Sequence, residues 1–324
     1  MSDRAGTIWQ LVGTGAGRPY ADEMIRHGVM LAGPGDAGPW PSTGYSDNFA
    51  LRDTLRWFAE TAEIGDNVVL RMGRTTIRAV GLIAGPYEYS DRFDDVNGLD
   101  RQHYRRVRWF ELPSEHDFGQ LVFGQRPGAF SRVRSRVVRG FVERLLGSEP
   151  SAWQAAALPP LPAEEPPLEN VPVRVMALVG QAQDLLTLYG DDGRFGAAPS
   201  EDEMVAHFAT PLLRELGWPA EFVGVKWRNV DIALFRSLPR SPDTCELVVE
   251  VKRLGVGVEG ALIQARRYVQ SLSLTCDVAV TDGIRWRRYA RDLDYAACGY
   301  ANLARPKARA ADLFARLQGP RWSG

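Results

Sequence analysis

The sequence predicts a two-domain α/β protein of the α+β kind, with a mostly β first domain and a second domain built on a small mixed sheet flanked by helices. Three observations carry that reading. The segment 148–173 holds seven prolines and few β-branched residues, so it resists regular structure and reads as a stiff spacer. Before it, short apolar–polar alternations bounded by turn residues dominate. After it, helix and strand patterns follow in the order α-β-β-α-β-β. The boundaries are therefore 1–147, 148–173 and 174–324.

In the first domain, TIWQLV (7–12) reads as a strand and ADEMIRHG (21–28) as a helix after a Gly-rich turn. That turn, VGTGAGRPY, invites a dinucleotide reading. Arg18, however, stands where the GxGxxG fingerprint needs its last glycine, and no βαβ pattern follows. It reads as a plain loop. NFALRDTLRWFAETA (48–62) spaces Leu51, Leu55 and Phe58 along one helical face. EIGDNVVLRMG (63–73) and TTIRAVGLIAGPYEY (75–89) alternate on either side of a Gly-Arg turn, which predicts a hairpin. YRRVRWFEL (104–112) is a further strand with Val107 and Trp109 on one face. SRVRSRVVRGFVERLL (131–146) predicts a helix with Val133, Val137, Phe141 and Leu145 inward and Arg132, Arg136 and Arg139 outward.

The second domain opens with the helical pattern VRVMALVGQAQDLLTLYG (173–190). SEDEMVAHFATPLLRELGW (200–218) is a strong helix: Ser200 and Glu203 form a capping box, and Gly217 stops it. NVDIALF (229–235) and CELVVEVKR (245–253) are strands, VEGALIQARRYVQSL (258–272) a helix, and CDVAVTDG (276–283) and IRWRRYA (284–290) two more strands.

Composition is that of an ordinary globular protein, 45% hydrophobic and 24% charged over 324 residues, with a net charge of −1. No apolar run approaches the roughly 20 residues that cross a bilayer, and the first residues lack a signal-peptide layout. The three cysteines show no CxxC spacing, which argues against a disulfide scaffold or zinc site and for a reducing, cytoplasmic setting. Only three of the 39 basic residues are lysines, Lys226, Lys252 and Lys307. Where arginine is the rule, a lysine two residues after Glu250 points to a place that needs a compact ammonium.

The chemistry concentrates in CELVVEVKR. A dry, valine-rich strand carries Glu250 and Lys252 two residues apart, hence on one side of the sheet. The preceding strand carries Asp231 within an apolar alternation, and a buried carboxylate needs compensation. A divalent cation held by Asp231, Glu250 and the carbonyl of Val251 provides it, since hard cations take oxygen ligands. Such a cation, Mg²⁺ or Mn²⁺, lowers the pKa of a bound water and neutralises a scissile phosphate. Lys252 then orients the water or stabilises developing negative charge. Gln264 and Tyr268 share a helical face and fit phosphate or lysine positioning. Glu203, one helix earlier, is a further candidate, although its capping role accounts for it alone.

This constellation resembles the PD-(D/E)xK nuclease superfamily, most closely the nuclease domain at the N-terminus of type I restriction motor subunits. The resemblance rests on EDEMVAHFATPLLRELGW, Asp231, Glu250-Val251-Lys252, the Gln264/Tyr268 pair and VTDGIRWRRYA, and it covers roughly 200–295. Val230 stands where many members have proline. It implies a restriction-endonuclease-like mixed-sheet fold and phosphodiester hydrolysis.

The first domain resembles the EVE group of PUA-like barrels through IWQLV, EIGDNVVLRMGRTTIRAVGLIAGPYEYSDRF and HYRRVRW. That resemblance implies recognition of a modified base, flipped from a duplex into a pocket with aromatic walls and polar edge readers. The candidate walls are Trp40, Tyr87, Tyr89, Phe93 and Trp109, with Asp91 or Asp47 reading the edge. Tyr87 and Trp109 are equally compatible with filling the core. Two arginine clusters, Arg101, Arg105, Arg106 and Arg108, then Arg132, Arg134, Arg136 and Arg139, fit phosphate tracking or a solvated surface. His103 between them reads as structural. Together the two resemblances imply a modification-dependent (type IV) restriction endonuclease acting on double-stranded DNA. One active site per chain favours a homodimer. A repair or RNA-directed nuclease, or a binding module with an inert nuclease core, are the alternatives.

Overall fold

The computed structural model describes residues 7–321 apart from 16–17, 36, 43–44, 46–48, 125–127, 149–151, 190–198 and 255–257. The chain is a mixed α/β protein that divides into two compact units, Met1–Glu164 and Glu165–Gly324, each with its own six-stranded sheet.

The first unit comprises β1 (Ile8–Val12), the short pair β2 (Thr14–Gly15) and β3 (Arg18–Pro19), α1 (Ala21–Arg26), β4 (Val29–Ala32), α2 (Phe49–Arg56), β5 (Asn67–Arg71), β6 (Thr76–Tyr89), β7 (His103–Asp117), β8 (Phe130–Arg132), α3 (Arg136–Ser148) and α4 (Ala152–Ala155). Its sheet runs β4-β7-β6-β5-β1-β8. Among the described residues of this sheet, only β1 and β5 pair in parallel; the expected β5–β6 hairpin is present. Strand alternation gives the sheet two apolar faces. Trp9, Leu11, Val68 and Leu70 pack with Met24 of α1 and Leu55 of α2 on one. Ile8, Val69, Ile77 and Val80 pack with Val138 and Val142 of α3 on the other.

The helix expected over 131–146 is therefore shorter and turned. Its first residues form β8, and starting at Arg136 instead moves the inward face to Val138 and Val142, leaving Val137 45% exposed. Val133 is buried, as an exit residue of β8 rather than a helical one.

The second unit comprises α5 (Val173–Tyr189), α6 (Glu201–Met204), a π-turn (Val205–Ala209), α7 (Thr210–Glu215), β9 (Val223–Trp227), β10 (Val230–Phe235), β11 (Cys245–Val251), α8 (Ala261–Ser271), β12 (Asp277–Thr281), β13 (Arg285–Ala290), β14 (Ala296–Asn302) and α9 (Ala310–Leu317). Its sheet runs β14-β13-β12-β11-β10-β9. β11 and β12 are parallel, and α8 makes the crossover that a parallel pair requires. Ile232, Leu234, Val249 and Val251 face a core with Phe208, Leu213 and Leu313. Ala233, Phe235, Val248 and Val280 face Leu262, Ala265 and Val269 of α8.

The proline-rich segment does not stand free of the two units. Arg106 donates to the Pro159 carbonyl and Arg108 to that of Ala156, at 2.9 Å, within the first unit. In the second, Ala308 N–H donates to Pro166 O at 3.0 Å and Leu168 N–H to Pro306 O at 2.9 Å. Proline carbonyls remain good acceptors although proline donates nothing.

Candidate functional site

The antiparallel register of β10 and β11 pairs Ile232 with Val249. One step further along, Asp231 lies opposite Glu250, so their side chains leave the same face. Alternation with Ala233 and Val248 puts that face on the α8 side. Both acids are withdrawn from water: Asp231 is 6% exposed and Glu250 0%. Asp231 Oδ2 accepts the Val251 main-chain N–H at 2.8 Å, and its Oδ1 accepts Lys226 Nζ at 2.8 Å. Lys252 Nζ donates to Glu250 Oε1 at 2.6 Å. Glu250 Oε2 is buried and has no hydrogen-bond partner among the described residues.

The electrostatics follow from that crowding. Burial pushes the Glu250 carboxyl up to about 7; the nearby Asp231 and Glu201 charges add to this, and the Lys252 hydrogen bond opposes it. Burial pulls the Lys252 ammonium down, but the hydrogen bond and field of Glu250, with Glu201 and Asp231, outweigh it and raise its pKa. The hydrogen bonds that Lys226 donates, to Asp231 first and then to Asp202, hold it charged, well above the ordinary lysine range.

The preceding helix does approach this cluster, but not through Glu203. Its carboxylate accepts from Ser200 N–H and Ser200 Oγ, both at 2.8 Å, and from Tyr189 Oη. The Tyr189 bond, then those of Ser200, lower its pKa to about 2. Because the cap occupies Glu203, the two residues before it turn the other way. Glu201 Oε1 lies 3.5 Å from Lys252 Nζ, and Asp202 Oδ1 lies 2.9 Å from Lys226 Nζ. These two acids and Lys226 are the site residues that sequence reasoning missed. The scarcity of lysine, which singles out Lys252, applies equally to Lys226. On α8, Gln264 Nε2 donates to Tyr268 Oη at 3.3 Å, as their spacing anticipates.

The donor set suits a hard cation. Asp231 and Glu250 offer carboxylate oxygens, Val251 a main-chain carbonyl, and Glu250 Oε2 is an orphaned buried acceptor. Among the described residues no group of three or more His, Cys, Asp and Glu side chains gathers as a metal cage. Two carboxylates are the set that Mg²⁺ takes, since it keeps several of its waters.

In the first unit, most expected base-pocket walls are engaged in packing. Tyr87 Oη accepts Trp40 N–H at 2.7 Å and lies 2.9 Å from His103 Nδ1. Tyr45 Oη lies 3.0 Å from His103 Nε2, and Tyr89 donates to Gly35 O at 2.8 Å. Trp40 Nε1 donates to Glu60 at 2.7 Å. This cluster ties the loop after β4 to β6 and β7. Phe93 is a core residue, 2% exposed and packed on Tyr104. Trp109 donates to Val29 O at 2.9 Å, closing the β4–β7 contact. Asp91 is half-buried in a 3-10 turn, Asp91–Phe93. Asp47 lies outside the described residues.

One recess lies away from that cluster. A cavity of about 170 Å³ opens between Leu11, Thr14, Leu31, Thr54, Arg101 and Phe130. It is smaller than the roughly 300–1,000 Å³ of drug-sized ligand sites. Arg101 stacks 5.0 Å over Tyr20 and donates to Asp100 O at 2.5 Å. Gly33 makes room for that arrangement, because a Cβ there would lie 2.0 Å from Asp100 O. A larger, open cleft of about 610 Å³ beside α1 mixes Asp22, Glu23 and Asp95 with Arg26 and Arg92, and so shows no preference for a polyanion.

The arginine clusters also separate. Arg105 is buried and donates to the carbonyls of Gly85 and Phe58, each at 3.1 Å, and to that of Ala62. Arg106 and Arg108 hold the proline-rich segment. These three serve the fold. Arg132, Arg134, Arg136 and Arg139 are exposed, Arg132 lying 5.4 Å over the Trp9 ring.

Residues 40–127 match a family model described as a domain of unknown function, DUF8426. No curated protein matches the chain. Among solved structures, the chain is similar to the YTH domain of the Zygosaccharomyces rouxii MRB1 protein, crystallised in complex with N6-methyladenosine RNA. The two are 11% identical with a TM-score of 0.28, over 44% of this chain and 87% of that one.

Proposed function

We propose that the protein is a Mg²⁺- or Mn²⁺-dependent endonuclease that cuts double-stranded DNA carrying modified bases. The observation that carries this reading is the Asp231–Glu250 pair, set opposite each other on adjacent strands and buried. Lys252 lies 2.6 Å from one Glu250 oxygen, and the other oxygen has no partner among the described residues. The order α6–α7, β9–β11, α8, β12 around it supports the PD-(D/E)xK resemblance.

Asp231, Glu250 and the Val251 carbonyl would hold the cation. When bound, it activates a water and neutralises charge on the scissile phosphate. Lys252 keeps its ammonium charged beside that point, because Glu250 and Glu201 favour the proton. It orients the attacking water and meets negative charge as it develops. Glu201 keeps Lys252 from collapsing wholly onto Glu250 by offering a second acceptor. In the first unit, the cavity bounded by Leu31, Thr54 and Arg101 receives the modified base, while the exposed Arg132, Arg134, Arg136 and Arg139 track the backbone. Cutting both strands with one set of acids per chain calls for two copies on the DNA, and bacterial-type restriction of this kind operates in the cytoplasm.

The test is incubation with Mg²⁺ on plasmids that differ only in 5-methylcytosine or 5-hydroxymethylcytosine. Cleavage of a modified plasmid alone, lost in Lys252→Ala, is the expected result. Equal digestion of every plasmid removes the base-reading half of the proposal. No digestion of any nucleic acid by a chain that binds the cation makes the core inert.

A further inference from the structure

Of the three lysines in the sequence, two place their ammonium groups on the two buried carboxylates. Lys252 belongs to the reading above; Lys226 does not. It sits in the β9–β10 hairpin, where residues 226, 228 and 229 all take left-handed backbone, with φ of 51°, 50° and 71°. Side-chain-bearing residues adopt that region at a cost, so three in four positions mark a turn with a purpose. From this turn Lys226 Nζ reaches Asp231 Oδ1 at 2.8 Å and Asp202 Oδ1 at 2.9 Å. Asp231 Oδ2 already accepts a main-chain N–H from Val251, which leaves Oδ1 as the oxygen with only a side-chain partner.

We propose that Lys226 is a displaceable internal counter-ion: it occupies Asp231 Oδ1 while no divalent cation is bound, and yields that oxygen to the cation by moving onto Asp202. The inference rests on the reading of Asp231 and Glu250 as cation ligands. An ammonium and a divalent cation repel each other at one oxygen, most strongly where water is scarce. Asp231 is nearly buried, so losing its only ammonium without replacement leaves a costly charge. Lys226 itself is 48% exposed and Asp202 77%, so the seat to which it retreats is already in contact and wet. An arginine fork could not make this single-atom exchange.

Calorimetric titration of Mn²⁺ into the full chain, the Lys226→Met, Asp202→Asn and Asp231→Asn variants tests it. Lys226→Met is expected to bind Mn²⁺ about tenfold more tightly and to melt at lower temperature without cation. Asp202→Asn, which removes the retreat, is expected to bind roughly threefold more weakly. Equal or weaker binding by Lys226→Met, with binding abolished in Asp231→Asn, overturns the counter-ion while sparing the cation site. Absence of Mn²⁺ binding in the unmodified chain and in Lys226→Met overturns both. If Lys226→Met fails to fold, unchanged affinity in Asp202→Asn overturns the proposal by itself.

Discussion

His103 shows how a single residue takes its chemistry from its neighbours. It is fully buried, with Tyr45 and Tyr87 hydroxyls on its two ring nitrogens and the Tyr89 ring against its edge. No carboxylate is among those contacts, and burial alone pushes its pKa down to about 4. The unfolded chain therefore binds a proton near pH 6.5 that the folded chain refuses until about pH 4. Its contribution is intact above pH 6.5, and stability is lost as the pH falls from there to 4. At about 1.4 kcal/mol per pKa unit, the loss is about 3 kcal/mol. Thermal unfolding of the first unit followed between pH 7 and 4 measures it. His103→Gln is expected to lower stability at pH 7 yet flatten the slope across that window. The reading of this residue as structural is consistent with its surroundings. Trp40, Tyr87 and Tyr89 are half-buried and brace the loop after β4, and an aromatic beside a loop looks the same in sequence whether it faces a ligand or locks the loop down.

At the scale of the element, α6 explains why three adjacent acids behave differently. Ser200 and Glu203 close a reciprocal cap, which turns Glu201 and Asp202 toward Lys252 and Lys226. Glutamine serves a capping box as well as glutamate. Glu203→Gln is thus expected to keep cleavage within about twofold, whereas Ser200→Ala is expected to cost about 1 kcal/mol and to slow cleavage by loosening that turn. Plasmid cleavage rates and melting temperatures of both variants check the pair. The acid-acid-lysine set was legible because each member breaks a strand pattern, and a charge in a valine-rich strand is conspicuous. Glu201 and Asp202 were not, because acids in a first helical turn are favoured by the helix dipole everywhere. Short elements were equally silent: β4 is four apolar residues, VMLA, too brief for a period. β9 carries a glycine and an exposed lysine, and β14, AACGYAN, reads as loop. Around the start of α3 the valines at 133, 137 and 138 fit two helical registers, and the strand β8 decides between them.

For the whole molecule, two separate cores predict two unfolding events, since each unit buries its own apolar faces. The cation proposed for Asp231 and Glu250 would bind only the folded second unit. At a concentration 100-fold above its dissociation constant, it stabilises that unit by about 2.7 kcal/mol, or roughly 5–10 °C for a unit of this size. Scanning calorimetry with and without Mn²⁺ is expected to shift one transition, and Asp231→Asn to abolish the shift. No helix among the described residues is long and apolar enough to cross a membrane.

The seating of β1 also governs how the protein is made. This strand pairs with β5 starting at Asn67 and with β8 starting at Phe130. While the ribosome is still translating, β1 waits without either neighbour, and at usual elongation speeds the second arrives roughly 10 s after the first residues emerge. The first unit therefore completes its sheet only once Arg132 has cleared the exit tunnel.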